Sequence, residues 1–297
     1  MVTPTAIPGW LAREYPFAPR AFATPGGARM SYVDEGPRSD EAVLLLHGNP
    51  TWSYYYRRLV RELSPAMRCI APDHIGMGLS EKPSGYDYTL ATRIDDIAAL
   101  VDSLRLRRVH LVVHDWGGAI GFGFAARRPE RVGRLVILNT AAFAAKRIPT
   151  RIALCKLPAL GPLLVRGGNG FAWPATWMAM NRRALTTAER RGFLFPYGSW
   201  ADRVAVSAFV QDIPLGPAHR SWNALAKTEA GLAQFRDRPA LIVWGGRDFC
   251  FDDSFLARWR EFFPQAEVDR IGDAGHYVLE DARAEALPRI AGFLTKT

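Results

Sequence analysis

Cysteine, long apolar runs and repeats are what this chain has least of. Its three cysteines, Cys69, Cys155 and Cys250, lie far apart and in no Cys-x-x-Cys or Cys/His spacing. That excludes a disulfide framework and a structural zinc site, and leads us to expect a reduced, cytoplasmic compartment with no metal. No stretch reaches the roughly 18 apolar residues that cross a bilayer. The segment Met1–Trp10 carries two prolines and no basic region followed by an apolar run, so a secretory leader is not expected. Low-complexity tracts are missing too. The Gly76-x-Gly78 pair lacks the third glycine of a dinucleotide fingerprint and the Gly-Lys-Ser/Thr end of a P-loop, so it reads as a structural turn and no nucleotide cofactor is expected. The net charge of +9 is mostly arginine, in pairs such as Arg57-Arg58, Arg127-Arg128 and Arg182-Arg183 scattered along the chain. Scattered pairs without interleaved aromatics do not make a nucleic-acid footprint. They read as a solvated arginine-rich surface, whose positive field would speed encounter with an acidic protein or an anionic membrane.

What is present suits one large domain or a domain with an insertion: 297 residues, 48% of them hydrophobic. Arg29–Gly36 alternates and reads as an edge strand. Ala42–Leu46, Cys69–Asp73, Arg108–Val113, Leu135–Asn139, Ala240–Trp244 and Ala266–Ile271 read as further strands, several of them apolar enough to be covered on both faces. Between them, Trp52–Leu63, Thr89–Leu104, Ala119–Arg127 and Ala284–Leu294 have helical composition; in the second, Leu90, Ile94, Ile97, Leu100, Val101 and Leu104 recur every three or four residues. This alternation predicts a mostly parallel, doubly wound α/β sheet. The rhythm stops at Thr140. Residues 141–222 contain several prolines, helix-like pieces and many aromatics, and read as a helical cap inserted after the sixth strand, leaving 1–140 and 223–297 as the core. The cap aromatics Phe171, Trp173, Trp177, Phe193, Phe195, Trp200 and Phe209 are expected mostly to pack on the main sheet, and together to line an apolar pocket suited to alkyl chains.

Three residues follow predicted parallel strands: Asp115, Asp248 and His276. The carboxyl ends of such strands form the ligand crevice, so residues distant in sequence meet there. Asp115 occupies the strand-to-helix corner where Gly-x-Ser-x-Gly places a serine nucleophile, and the order nucleophile, acid, histidine is that of α/β-hydrolase triads. His276 would be the base and Asp248 its orienting acid. Asp248 could instead cap the helix Asp252–Phe263. The other position for an acid, after the sixth strand, holds Asn139 and Thr140, leaving Asp252 and Asp253 as weak substitutes. His47 and His114 flank the site and read as hydrogen-bonding supports. A carboxylate nucleophile is ionised at neutral pH and can displace a leaving group from sp³ carbon without a base. The departing anion then needs donors, and Asn49 and the indole N–H of Trp116 are two uncharged candidates.

The segments His47-Gly48-Asn49-Pro50-Thr51, His114-Asp115-Trp116-Gly117-Gly118 and Gly275-His276 resemble the motifs of the haloalkane dehalogenase family of α/β-hydrolases, in order and spacing over nearly the whole chain. The resemblance implies Asp115 as nucleophile, His276 as base, Asp248 as acid and Asn49 with Trp116 as leaving-group donors. Haloacetate dehalogenases carry arginine where this chain has Trp116. Epoxide hydrolases use two cap tyrosines, whereas the cap here holds only Tyr197.

Acid placement at Asp248 with Asn49 as second donor is similar to the third dehalogenase subfamily, which includes the β-lactone decarboxylases of bacterial long-chain olefin biosynthesis. The segments Leu157–Pro162, Arg166–Phe171 and Asp273–Asp281 look closer to those decarboxylases. The resemblance implies conversion of a cis-3-alkyl-4-alkyl-oxetan-2-one to a cis-alkene and carbon dioxide, without a cofactor, and assembly with other olefin-biosynthesis enzymes. Hydrolytic dehalogenation of haloalkanes by the same triad is the alternative.

Overall fold

The computed structural model describes residues 7–145 and 148–296. Residues 1–6, part of the segment read above for a leader, lie outside it. Eight strands form one sheet: β1 Arg20–Ala23, β2 Arg29–Glu35, β3 Glu41–Leu46, β4 Cys69–Pro72, β5 Arg108–Asp115, β6 Val132–Thr140, β7 Ala240–Gly245 and β8 Glu267–Ile271. Their order is β1-β2-β4-β3-β5-β6-β7-β8. Pairings of β2 with β1 and with β4 are antiparallel, and the remainder are parallel. The apolar runs of β3, β5, β6 and β7 are the central strands and are buried on both faces, as their composition requires. One expectation is corrected. Arg29–Glu35 is not the edge, because β1 pairs along it. With four residues, mostly exposed, β1 carries too little alternation to be seen as a strand.

The helices are α1 Gly9–Glu14, α2 Arg57–Leu63, α3 Leu90–Ser103, α4 Trp116–Arg127, α5 Thr150–Lys156, α6 Leu160–Pro162, α7 Ala172–Met178, α8 Thr187–Leu194, α9 Val204–Gln211, α10 Trp222–Gly231, α11 Asp253–Phe262, α12 Val278–Asp281 and α13 Arg283–Thr295. Trp52–Leu63 is therefore not one helix: a 3-10 turn over Ser53–Tyr56 precedes α2. Helix α3 starts where Thr89 accepts a hydrogen bond from Thr92 N–H. It buries Leu90, Ile94, Ile97, Leu100 and Val101, each worth roughly 1.5–3 kcal/mol of transfer free energy when fully covered. Helix α4 packs against α3, α10 and the sheet strands β3, β5 and β6.

Between β6 and β7 the described residues form six helices, α5 to α10, and no strand. A buried ion cluster joins this segment to the rest: Arg57 of α2 pairs with Glu280 of α12, Arg183 bridges Glu280 and Glu189, and Arg58 reaches Glu189. The aromatic expectation is corrected in part. Phe193 and Phe209 are buried, but Trp173, Trp177 and Trp200 are exposed.

Candidate active site

Asp115 ends β5, where the register against β6 slips between Val113 and Asp115. Its backbone, at φ 52° and ψ −126°, lies in a region that costs a non-glycine residue on the order of 1–3 kcal/mol. Neighbours hold it there. Thr140 Oγ1 donates to the Asp115 carbonyl, and Asn49 N–H donates to Asp115 Oδ1 at 2.6 Å. The backbone N–H of Trp116, at the start of α4, supports the same carboxylate. Close approach demands two glycines. A Cβ on Gly48 would sit 2.0 Å from Asp115 Oδ1, and one on Gly117 would sit 1.9 Å from the Leu46 carbonyl.

The loops after β7 and β8 bring the other two groups in. His276 Nδ1–H donates to Asp248 Oδ2 at 2.6 Å, and its Nε2 faces Asp115 Oδ2 at 3.8 Å. Asp248 Oδ1 accepts from the N–H groups of Cys250 and Phe251, which fixes the acid through its own loop. It caps no helix: Asp252 caps α11, and Asp253 pairs with Arg270. Burial pushes the Asp115 carboxyl pKa up, against the opposing pull of His276 and of the two N–H donors. Burial would lower His276, but the charge and hydrogen bond of Asp248, with Asp115 beyond, outweigh it and raise the imidazole above its ordinary value.

Supporting residues lie where their types suggest. Asn139 clasps the last residue of β7, with Nδ2 donating to the Gly245 carbonyl and Oδ1 accepting from Gly245 N–H. His47 hydrogen-bonds the Gly48 carbonyl and accepts from His74 N–H; burial lowers its pKa to about 4. His114 Nε2 donates to the His276 carbonyl, and burial takes it well below the usual imidazole value, so both rings stay neutral. In the Gly76–Gly78 turn, both glycines have positive φ and Asp73 accepts from Leu79 N–H.

Asn49 Nδ2 gives one hydrogen to the Val206 carbonyl of α9 at 3.1 Å, leaving its second for a ligand. The Trp116 ring packs on Phe209 at 5.3 Å and borders the cavity. Tyr197 donates to the Thr51 carbonyl, away from the lining.

One residue escaped the sequence reading. Asp281 accepts from Gly275 N–H at 2.7 Å and also from the N–H groups of Asn181 and Arg182, while Tyr277 N–H donates to the Ala179 carbonyl. The loop carrying His276 is thus tied to the segment between α7 and α8. The only signal was position, five residues past His276 in an acidic stretch.

Two apolar lobes meet at Asp115, with cavity volumes of about 110 and 290 Å³. Both touch Asn49, Asp115, Ile152, Phe171 and Cys250. The first runs past Trp116 toward Ile213, Leu225 and Phe255; the second runs past His276 toward Pro174, Trp177 and Met178. Apart from Asp115 itself, the first has no charged lining residue.

A carboxylate on a strand-end elbow, a histidine paired with a second carboxylate on later loops, and this sheet order define an α/β-hydrolase. Residues 41–282 match the alpha/beta hydrolase fold family, and the chain belongs to it. Within that family it is 48% identical to a cis-3-alkyl-4-alkyloxetan-2-one decarboxylase of Shewanella oneidensis, over 94% of this chain and 89% of the relative. A protein of the same name from Xanthomonas campestris pv. campestris is 46% identical, over 95% of this chain and 97% of its own. Among solved structures, the haloalkane dehalogenase DbeA from Bradyrhizobium elkani superposes with a TM-score of 0.84 at 28% identity, covering 94% of this chain and 97% of that one. Among the described residues no helix is long and apolar enough to cross a membrane.

Proposed function

We propose that this chain is a β-lactone decarboxylase, converting a cis-3-alkyl-4-alkyl-oxetan-2-one to a cis-alkene and carbon dioxide. The observation that carries the reading is the pair of apolar lobes meeting at Asp115, since a dialkyl lactone presents two chains on adjacent carbons. A simple haloalkane would fill one lobe. The two decarboxylase relatives, more similar than the dehalogenase structure, support the same choice.

In this reading 141–222 is a cap over a core of 1–140 and 223–297, and the reaction is run by core residues. An Asp115 oxygen attacks ring carbon 4, the bond from that carbon to the ring oxygen breaks, and the freed carboxylate is received by Asn49 Nδ2–H and the Trp116 indole. The bond between carbon 3 and the carboxylate then breaks; its electron pair forms the alkene as the Asp115 carboxylate departs. Inversion followed by anti elimination preserves cis geometry. No water is consumed. His276, held by Asp248, balances the charge of Asp115. Hydrolytic dehalogenation is the second reading, supported by the 3.8 Å between His276 Nε2 and Asp115 Oδ2, which lets His276 activate a water against an alkyl ester of Asp115. A cytoplasmic location and assembly with the enzymes that supply the lactone belong to the main reading, and co-purification with them tests the assembly.

The deciding experiment assays wild type and Asp115→Ala on a cis-dialkyl β-lactone and on 1-bromoalkanes, measuring alkene and bromide. Alkene from wild type alone is expected, and fast bromide release with negligible alkene would reverse the ranking. Repeated turnover of the lactone in ¹⁸O-water should leave Asp115 unlabelled, so label in its carboxylate would sink the elimination.

A further inference from the structure

Of the nine large hydrophobic side chains exposed among the described residues, seven lie in the segment from α5 to α7. Leu157, Leu160 and Leu163 are 45%, 44% and 58% exposed, and Trp173 and Trp177 are 54% and 55% exposed. Several of them sit in local clusters. Gly161 sits against the Cys155 carbonyl, joining α6 to α5; Gly167 sits between Leu163 and Trp200; and the Trp173 and Trp177 rings meet edge to face at 6.2 Å. So many exposed large apolar side chains within one segment mark a place where something docks.

Charge says what docks. Between Glu130 and Glu189 the sequence has no acidic residue, while Arg151, Lys156 and Arg166 fall among the exposed leucines. Arg151 reaches the Met178 sulfur and lies over the Phe249 ring, Lys156 donates to the Val210 and Gln211 carbonyls, and Arg166 meets the Trp200 ring and carbonyl; among the described residues none of the three pairs with a carboxylate. Leucine and tryptophan beside unpaired basic groups are what an anionic lipid interface binds, the rings settling at headgroup level and the cations at the phosphates. Trp177 and Arg151 also line the second lobe, so the segment borders the cavity that reaches Asp115.

We propose that this segment docks on an anionic bilayer surface, seating α5–α7 in the headgroup layer with the second lobe opening toward the acyl chains. The docking rests on exposure and charge, and not on the reaction assigned above; its test needs no substrate. The full chain is sedimented with phosphatidylcholine vesicles with and without phosphatidylglycerol, at low and high salt. Wild type should pellet with the anionic vesicles and be released by salt. The triple variant Leu157→Ser, Leu160→Ser, Leu163→Ser should lose at least about tenfold in partitioning with an unchanged melting temperature. Should that variant melt early, Leu160→Ser and Trp173→Ser alone carry the comparison, each lowering partitioning several-fold. Wild type that stays in solution with every vesicle, or variants that pellet like wild type, would overturn the proposal. So would an oligomer of wild type without vesicles that the triple variant dissolves, because the segment would then belong to a protein contact.

Discussion

The sheet core and the helical segment between β6 and β7 treat apolar surface in opposite ways. The large hydrophobic side chains that stay exposed, from Leu154 to Leu215, all belong to the inserted segment. The core closes on itself: α4 lies on β3, β5 and β6 with α3 packed against it, and β5 ends in a carboxylate held from several sides. Hydrogen bonding is therefore dense where reacting atoms must be positioned, and exposed apolar surface is gathered in the helical segment.

The largest effect expected from breaking this division is at Asp115. Asp115→Ala should lower alkene formation by about 10⁴-fold or more for every chain length, measured by gas chromatography, because no other group supplies the displacement. Next comes the joint between the regions. Glu280→Ala leaves Arg57 buried without its close partner and should cost about 3–5 kcal/mol in urea unfolding. One shared transition would mean that core and insertion unfold together.

The pH dependence separates the two chemistries. His276 is raised above 6.5, so its neutral form, needed to hydrolyse an Asp115 ester, is lost as pH falls through that raised value. Bromide turnover should then drop about tenfold per unit, whereas alkene formation should persist until Asp115, itself raised from 3.8, takes up a proton. Within the insertion, Ile213→Trp should shorten the first lobe and lower kcat/KM for long-chain lactones about tenfold, sparing short ones. The smallest effect is local. Thr186→Ala removes the capping box at the start of α8 and should cost about 1 kcal/mol in the same unfolding measurement, with kcat unchanged.

The sheet was legible because β3, β5, β6 and β7 are buried on both faces and must be apolar throughout. The positions of Asp115, Asp248 and His276 were legible because strand ends and their order limit where such residues can sit. What escaped has physical reasons. β1 is too short to show a period, and an edge assignment for β2 failed with it. Composition reports that Trp173, Trp177 and Trp200 are apolar, but not that the insertion leaves them uncovered. Asp281 acts through backbone N–H groups, which leave no mark in side-chain patterns.

The Asn139 clasp bears on how such sites change over generations. Asparagine and aspartate are codon neighbours, so placing an acid at the end of β6 is a short mutational step. Yet asparagine answers both the N–H and the carbonyl of Gly245, and an aspartate would answer only the N–H while setting its charge beside the carbonyl. Placing an acid at the end of β6 therefore costs stability before it serves any chemistry.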